Sequence, residues 1–334
     1  KMIIPSSVTL DDEGYIHFKT GGDMPNGNVG IVATDDNDNV LWSWHLWVVK
    51  GYNPAATDIN VTTKGVNTYF MDRNIGANIS NETGVADGWE AAQAVGMMYQ
   101  HGRKDPFPGP FDIAKDCGDG NRGGVGYGAM TPDGVLMYGS NGQGGQNEDG
   151  GYTYIAATNY LHGLVADAGL SGNWTYADAV AYANANPHRL IHNRDRSGNS
   201  NPYDWWGTRN EEAVKQMFYY WGGPQVWPNC ADITKTIYVP CPAGWVVPGV
   251  DFSATISNDA TVTSVNYGWN VVLPSGQTAY FPHTGVRWGD ATQLQKCNTL
   301  GAYWVNAIGD NACGAMNFVD NADGFVGVSS INGS

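Results

Sequence analysis

Asp195, Asp204, Glu211 and Glu212 fall in a short run that also holds Trp205 and Trp206. A carboxyl group against an aromatic wall can keep its proton and act as the acid that cleaves a sugar. Glu211 and Glu212 also follow Asn210, as an N-cap and acids at the positive end of a helix dipole would. The helix start explains them more simply. Gly118, Gly120 and Gly123 have dinucleotide-loop spacing, but they follow no strand and open no helix. Asp35, Asn37 and Asn39 begin like a calcium loop. Val40 then stands where glycine is needed and Leu46 where a bidentate glutamate is needed, so the string reads as a hairpin turn. His188 and His192 follow Pro187 in loop-like sequence and are not read as metal ligands. No HExxH, P-loop or GxSxG string occurs. The chain is therefore read as no enzyme and as holding no cofactor, although acidic loops are compatible with calcium.

Those loops need elements to carry them. Asp35–Asn39 separates two apolar segments, Val29–Ala33 and Val40–Val49, and predicts a hairpin. In its second arm Ser43 and His45 alternate with large residues, as in a half-buried strand. Thr68–Arg73 predicts a further strand, and Trp89–Gln100 a helix. Tyr176–Ala185 predicts a helix that Pro187 stops, and Asn210–Tyr220 predicts another. Ile237–Val239, Gly244–Val247, Ala260–Val265 and a stretch from Gly268 read as short strands, followed by the turn Pro274-Ser275-Gly276. Between Lys104 and Gly151 the chain is rich in Gly, Pro and Asn and has no period, as in functional loops or an insertion.

Composition narrows the class. The 334 residues carry 17 Lys+Arg and 32 Asp+Glu, a net charge of −15. That excludes a basic nucleic-acid footprint and a polybasic membrane surface. Charged residues make up 15 % of the chain, against about 25 % in an average domain. There are 45 Gly, 13 Trp, 18 Tyr and 9 Phe, which describes a loop-rich folded protein with an aromatic core. No apolar run is long enough to span a membrane as a helix. Scarce lysine with abundant Gly, Asn and Trp leads us to expect an exported chain that has lost a leader. Cys117, Cys230, Cys241, Cys297 and Cys313 are odd in number and have no zinc spacing, so connectivity stays open.

Six strings stand in a fixed order: Val40–Trp47, Phe70–Ala77, Met98–Pro108, Lys235–Pro248, Tyr280–Pro282 and Gly301–Trp304. This order resembles the C-terminal major paralogous domain of large Bacteroidales surface proteins, which are similar to fimbrial tip adhesins with a C-type-lectin-like fold. The resemblance implies an α+β, C-type-lectin-like domain over 65–334 with a loop-rich insertion at about 112–234. Residues 1–64 would be an N-terminal β segment, the end of a preceding fimbrillin-like domain. Trp42, Trp44, Trp47, Trp245 and Trp304 are expected to pack one core. Asp72 and Arg73 should bond across to loops, and Arg103, Lys104 and Asp105 should form a fixed turn. The chain departs from the family pattern at His101, where Trp is usual, and at Val246, where Arg is usual. The family's short closing strand with an Arg-Cys pair is not in this sequence, which would leave Cys241 without its partner.

The resemblance implies a surface adhesin at or near a pilus tip, extracellular, with other pilus subunits and a host or microbial glycan or protein as partners. The Glu-Pro-Asn and Gln-Pro-Asp strings of calcium-dependent sugar sites do not occur. Some proteins of this fold look like targets of diversity-generating retroelements, which vary Asn codons after a Gly-x-Tyr-Trp string. That places the expected contacts in C-terminal loops: Trp288, Tyr303, Asn306, Asp310, Asn311, Asn317, Asp320, Asn321, Asp323 and Phe325. Aromatic residues would anchor, and Asn and Asp would adapt. Two other classes stay open: a structural pilus subunit, and a copper oxidase like the formylglycine-generating enzymes, for which Cys297 and Cys313 are the candidate pair.

Overall fold

The computed structural model of the chain describes residues 3–22, 26–63, 65–80, 88–109, 145–146, 152–153, 176–187, 220–222, 234–287, 294–296, 299–309, 312–319 and 326–331. The predicted helix at 210–220 falls outside them, apart from Tyr220. Helices and strands are mixed, and the strands form small antiparallel sheets, an α+β arrangement.

A short 3-10 turn (Pro5–Ser7) precedes β1 (Thr9–Leu10) and β2 (Ile16–His17), which pair. The predicted hairpin is β3 (Gly27–Thr34) with β4 (Val40–Val48). Asp35 closes its turn by accepting from the backbone N–H groups of Asn37 and Asn39, both at 2.9 Å. The turn helix α1 (Pro54–Thr57) leads into β5 (Ile59–Thr63), which pairs with β6 (Val66–Phe70). That hairpin crosses residue 64, and Ile59 and Val61 lie in the principal core, so residues on both sides of 64 share one hairpin and one core.

The helix predicted over Trp89–Gln100 is shorter. It is α2 (Gly88–Val95), and Met97–Tyr99 is instead the strand β7, paired with β8 (Pro106–Pro108). Gly96 makes the break, at φ 75°. Asn74 Nδ2 donates to Val95 O at 3.0 Å, and Met97 N donates to Ile75 O at 2.9 Å. A Cβ at Gly96 would lie 2.4 Å from Ile75 O, so only glycine lets the strand approach so closely.

The short pair β9 (Gly145–Gln146) and β10 (Tyr152–Thr153) and the helix α3 (Tyr176–Ala185) lie in the stretch expected to be an insertion. Ala179 and Ala183 of α3 are buried, and Trp221 is 1 % exposed. These described parts are therefore built into the body of the protein.

No strand forms at Ile237–Val239 or Gly244–Val247. Pro240, Pro242 and Pro248 have no N–H to give a ladder, and the segment runs as turns. After Pro248 comes the unforeseen helix α4 (Val250–Asp259), which buries Phe252 and Ile256 four residues apart. A meander follows: β11 (Thr261–Val265), β12 (Gly268–Val272) and β13 (Thr278–Pro282). The short pair β14 (Val286–Arg287) and β15 (Leu294–Gln295) precedes a second three-stranded sheet of β16 (Leu300–Gly309), β17 (Ala312–Val319) and β18 (Val326–Ile331).

The core lies between the two three-stranded sheets, α4 and β5. Alternation on β12 sends Trp269 and Val271 inward and leaves Val272 40 % exposed. Phe318 stacks on Phe281 and Trp269, with ring centroids 4.8 and 5.4 Å apart. The five motif tryptophans do not share this core. Trp42 meets Tyr238 edge-on, Trp47 packs on Tyr52 and donates to Ala77 O, and Trp245 and Trp304 border a separate cluster around Trp221. Strand β4 is responsible, because its tryptophans lie on both faces and one sheet face cannot bury them all.

Candidate binding surface and its buried support

Five consecutive polar and glycine positions, Gln100–Lys104, are buried together with Asp105. The Arg103 backbone N–H closes the expected turn by donating to Gln100 O at 3.0 Å. Its guanidinium donates to Gln100 Oε1 at 2.6 Å and to Asn186 O at 3.3 Å. Lys104 Nζ donates to Asp105 Oδ1 at 2.8 Å, to Ser43 O at 3.1 Å and to Ser43 Oγ. Ser43 Oγ in turn donates to Asp105 Oδ1 at 2.5 Å, and the ammonium lies 4.4 Å from the Trp42 ring centroid. Burial pulls the Lys104 pKa below its ordinary value, and Asp105 opposes that pull. Buried charges persist when they are paired and hydrogen-bonded, as here.

Ser43 therefore points inward, against the expected alternation, and it sits 6 % exposed. Next to it on the same strand face, His45 contacts Asn28 Oδ1 at 2.9 Å and the Tyr99 hydroxyl at 3.1 Å. Burial lowers its pKa to about 4. His101 fills an aromatic slot, 4.4 Å from Trp221 and 5.3 Å from Trp304, and burial lowers its pKa to about 3. Both rings are neutral at pH 7. Asp72 and Arg73 hold each other, at 2.9 and 3.0 Å, and Arg73 lies over the Tyr52 ring and reaches Asn78 O.

Of the expected contact residues, Tyr303, Asn306 and Asn317 are described, and all three lie in strands. Tyr303 donates its hydroxyl to Pro282 O and packs edge-on against Phe281 and Phe318. Asn306 is fully buried and donates its side-chain amide to Trp221 O at 3.3 Å, so it has no surface to offer a ligand. Asn317 is half-buried on β17. Trp288, Asp310, Asn311, Asp320, Asn321, Asp323 and Phe325 lie outside the described residues.

The strands nevertheless fix where those segments leave the sheet. Within 303–325 the described residues, 303–309 and 312–319, are strand. Gly309 pairs with Ala312, so 310–311 joins β16 to β17 at one end. Leu300 pairs with Val319 and Phe318 with Val326, so 320–325 joins β17 to β18 at the opposite end. Thr284 Oγ1 bonds Ala302, and Gly285 N donates to Leu300 O at 2.8 Å.

Cys241 is a free, buried thiol whose pKa burial raises to about 12. Among the described residues, no group of three His, Cys, Asp or Glu side chains converges, and no helix is long and apolar enough to cross a membrane. Comparison with protein-family models, curated proteins and solved structures gives no match.

Sequence reasoning missed Ser43, His45 and Trp221 as parts of the buried support. The available signal was the density of Trp and His around Ser43, which an inward polar pair would also produce.

Proposed function

We propose that the protein is a non-enzymatic adhesin of a bacterial surface, carried at or near a pilus tip, with a C-type-lectin-like domain that contacts a glycan or protein through loops. The observation that carries this reading is the commitment of the motif residues to one another. Ser43, His101, Arg103, Lys104, Asp105 and Trp304 are spent on internal contacts. They brace a rigid scaffold, and segments hung from such a scaffold are where recognition concentrates. The six strings that resemble the tip-adhesin domain supply the same residues.

In this reading Trp288 and Phe325 anchor, and Asp310, Asn311, Asp320, Asn321 and Asp323 adapt. The test is adherence of beads carrying the purified chain to host and bacterial cells. Trp288→Ala, a Gly/Ser replacement of 320–325 and Asp310→Ala/Asn311→Ala are compared with the parent, and at least one of them should cut adherence at least tenfold. Adherence indifferent to all three overturns the assignment.

A further inference from the structure

We propose that a cavity in the body of the protein binds an uncharged molecule with a long hydrocarbon body and a small polar end. The cavity measures about 680 Å³. Its wall includes Phe70, Met98, Tyr99, Trp245, Val246 and Trp304. Small-molecule sites are commonly cavities of about 300–1,000 Å³ with apolar and aromatic walls and few polar groups. Flat rings give rigid contact area, and methionine conforms to the remaining gaps.

Charge decides the ligand class. Arg73 and Asp251 are the charged residues on the described wall. The guanidinium is held by both oxygens of Asp72, and Asp251 is also engaged. Two of the uncharged polar groups, on Thr284 and Trp304, are occupied as well. Thr284 Oγ1 accepts from Ala302 N at 2.8 Å, and Trp304 Nε1 donates to Tyr99 O at 2.7 Å. The Cys241 thiol is neutral. An ion entering here would lose its hydration and find no free counter-charge, whereas a hydrocarbon loses nothing. Tyr69 and Val246 lie on the wall yet are 50 % and 39 % exposed, so they mark the mouth. The Tyr69 hydroxyl stands there for a polar end to meet.

The experiment is titration of the whole chain with the neutral dye N-phenyl-1-naphthylamine, followed by displacement. Saturable binding of one dye per chain is expected. 1-Hexadecanol should displace it at least tenfold more effectively than hexadecanoate, and a trisaccharide should not displace it. Val246→Trp, which narrows the mouth, should weaken dye binding at least tenfold with an unchanged near-ultraviolet circular dichroism spectrum. If that variant does not fold, Val246→Lys, which puts a charge at the same exposed position, is held to the same tenfold criterion. Absence of saturable binding, equal displacement by hexadecanoate, or full binding by a folded Val246 variant overturns the proposal.

Discussion

The indole of Trp304 donates a hydrogen bond to the carbonyl of Tyr99 at 2.7 Å, tying β16 to β7 across 205 positions of sequence. The same indole forms one wall of the slot that holds His101. Trp304→Phe keeps most of the wall and orphans the carbonyl. The expected cost is about 2 kcal/mol, the usual penalty for an unsatisfied buried acceptor. Urea unfolding of the variant against the parent measures it, and an unchanged midpoint would remove the bond from the list of fold determinants.

Lys104 and Asp105 form the second brace, together with Ser43. Asp105→Ala leaves a buried ammonium without its counter-charge and should cost about 3–5 kcal/mol. The double variant Lys104→Met/Asp105→Ala should cost less than the sum of the single changes, because the pair is lost together. A double-mutant cycle by chemical unfolding gives the coupling, and strict additivity would show that the two charges act independently.

How much of this was legible in the sequence follows from the distances involved. The β3–β4 hairpin was readable because Asp35 and its Asn/Asp neighbours announce the turn locally. Helix α3 was readable from its alanines and Pro187. Helix α4 was not, because Ser, Thr, Asn and Asp weaken its pattern and only Phe252 and Ile256 mark the buried face. The buried brace was not readable either. Ser43 and Lys104 are 61 positions apart, and isolated charges are expected at the surface. The register of β16, β17 and β18 depends on strand pairing, which one sequence does not display.

Acid should weaken the fold through its histidines. His101 and His45 have folded pKa values of about 3 and about 4, against an ordinary 6.5. Below pH 6.5 the unfolded chain binds protons that the folded chain refuses. Stability therefore falls as pH drops from 6.5 toward 4, by up to about 1.4 kcal/mol per pH unit for each histidine. His101→Phe should remove its share of that slope. Urea midpoints at pH 7.0, 5.5 and 4.5 for parent and variant check this, and identical slopes would contradict it.

Gly96 and Gly276 both sit at positive φ, 75° and 83°, but only Gly96 is crowded. Gly276→Ala should cost about 1–2 kcal/mol from backbone strain alone. Gly96→Ala adds a collision with Ile75 O and should cost clearly more, enough to detach β7 from α2. Thermal unfolding of both variants measures the difference, and equal losses would mean the close approach at Gly96 is not required.

Recognition through the C-terminal segments is tested most directly by binding the purified chain to an array of host and microbial glycans and surface proteins, in calcium and in EDTA. The predicted result is a specific hit that is lost on replacing the C-terminal contact residues Trp288, Asp310, Asn311 and 320–325. Silence across the array, or a hit that survives replacement of all of them, would contradict it.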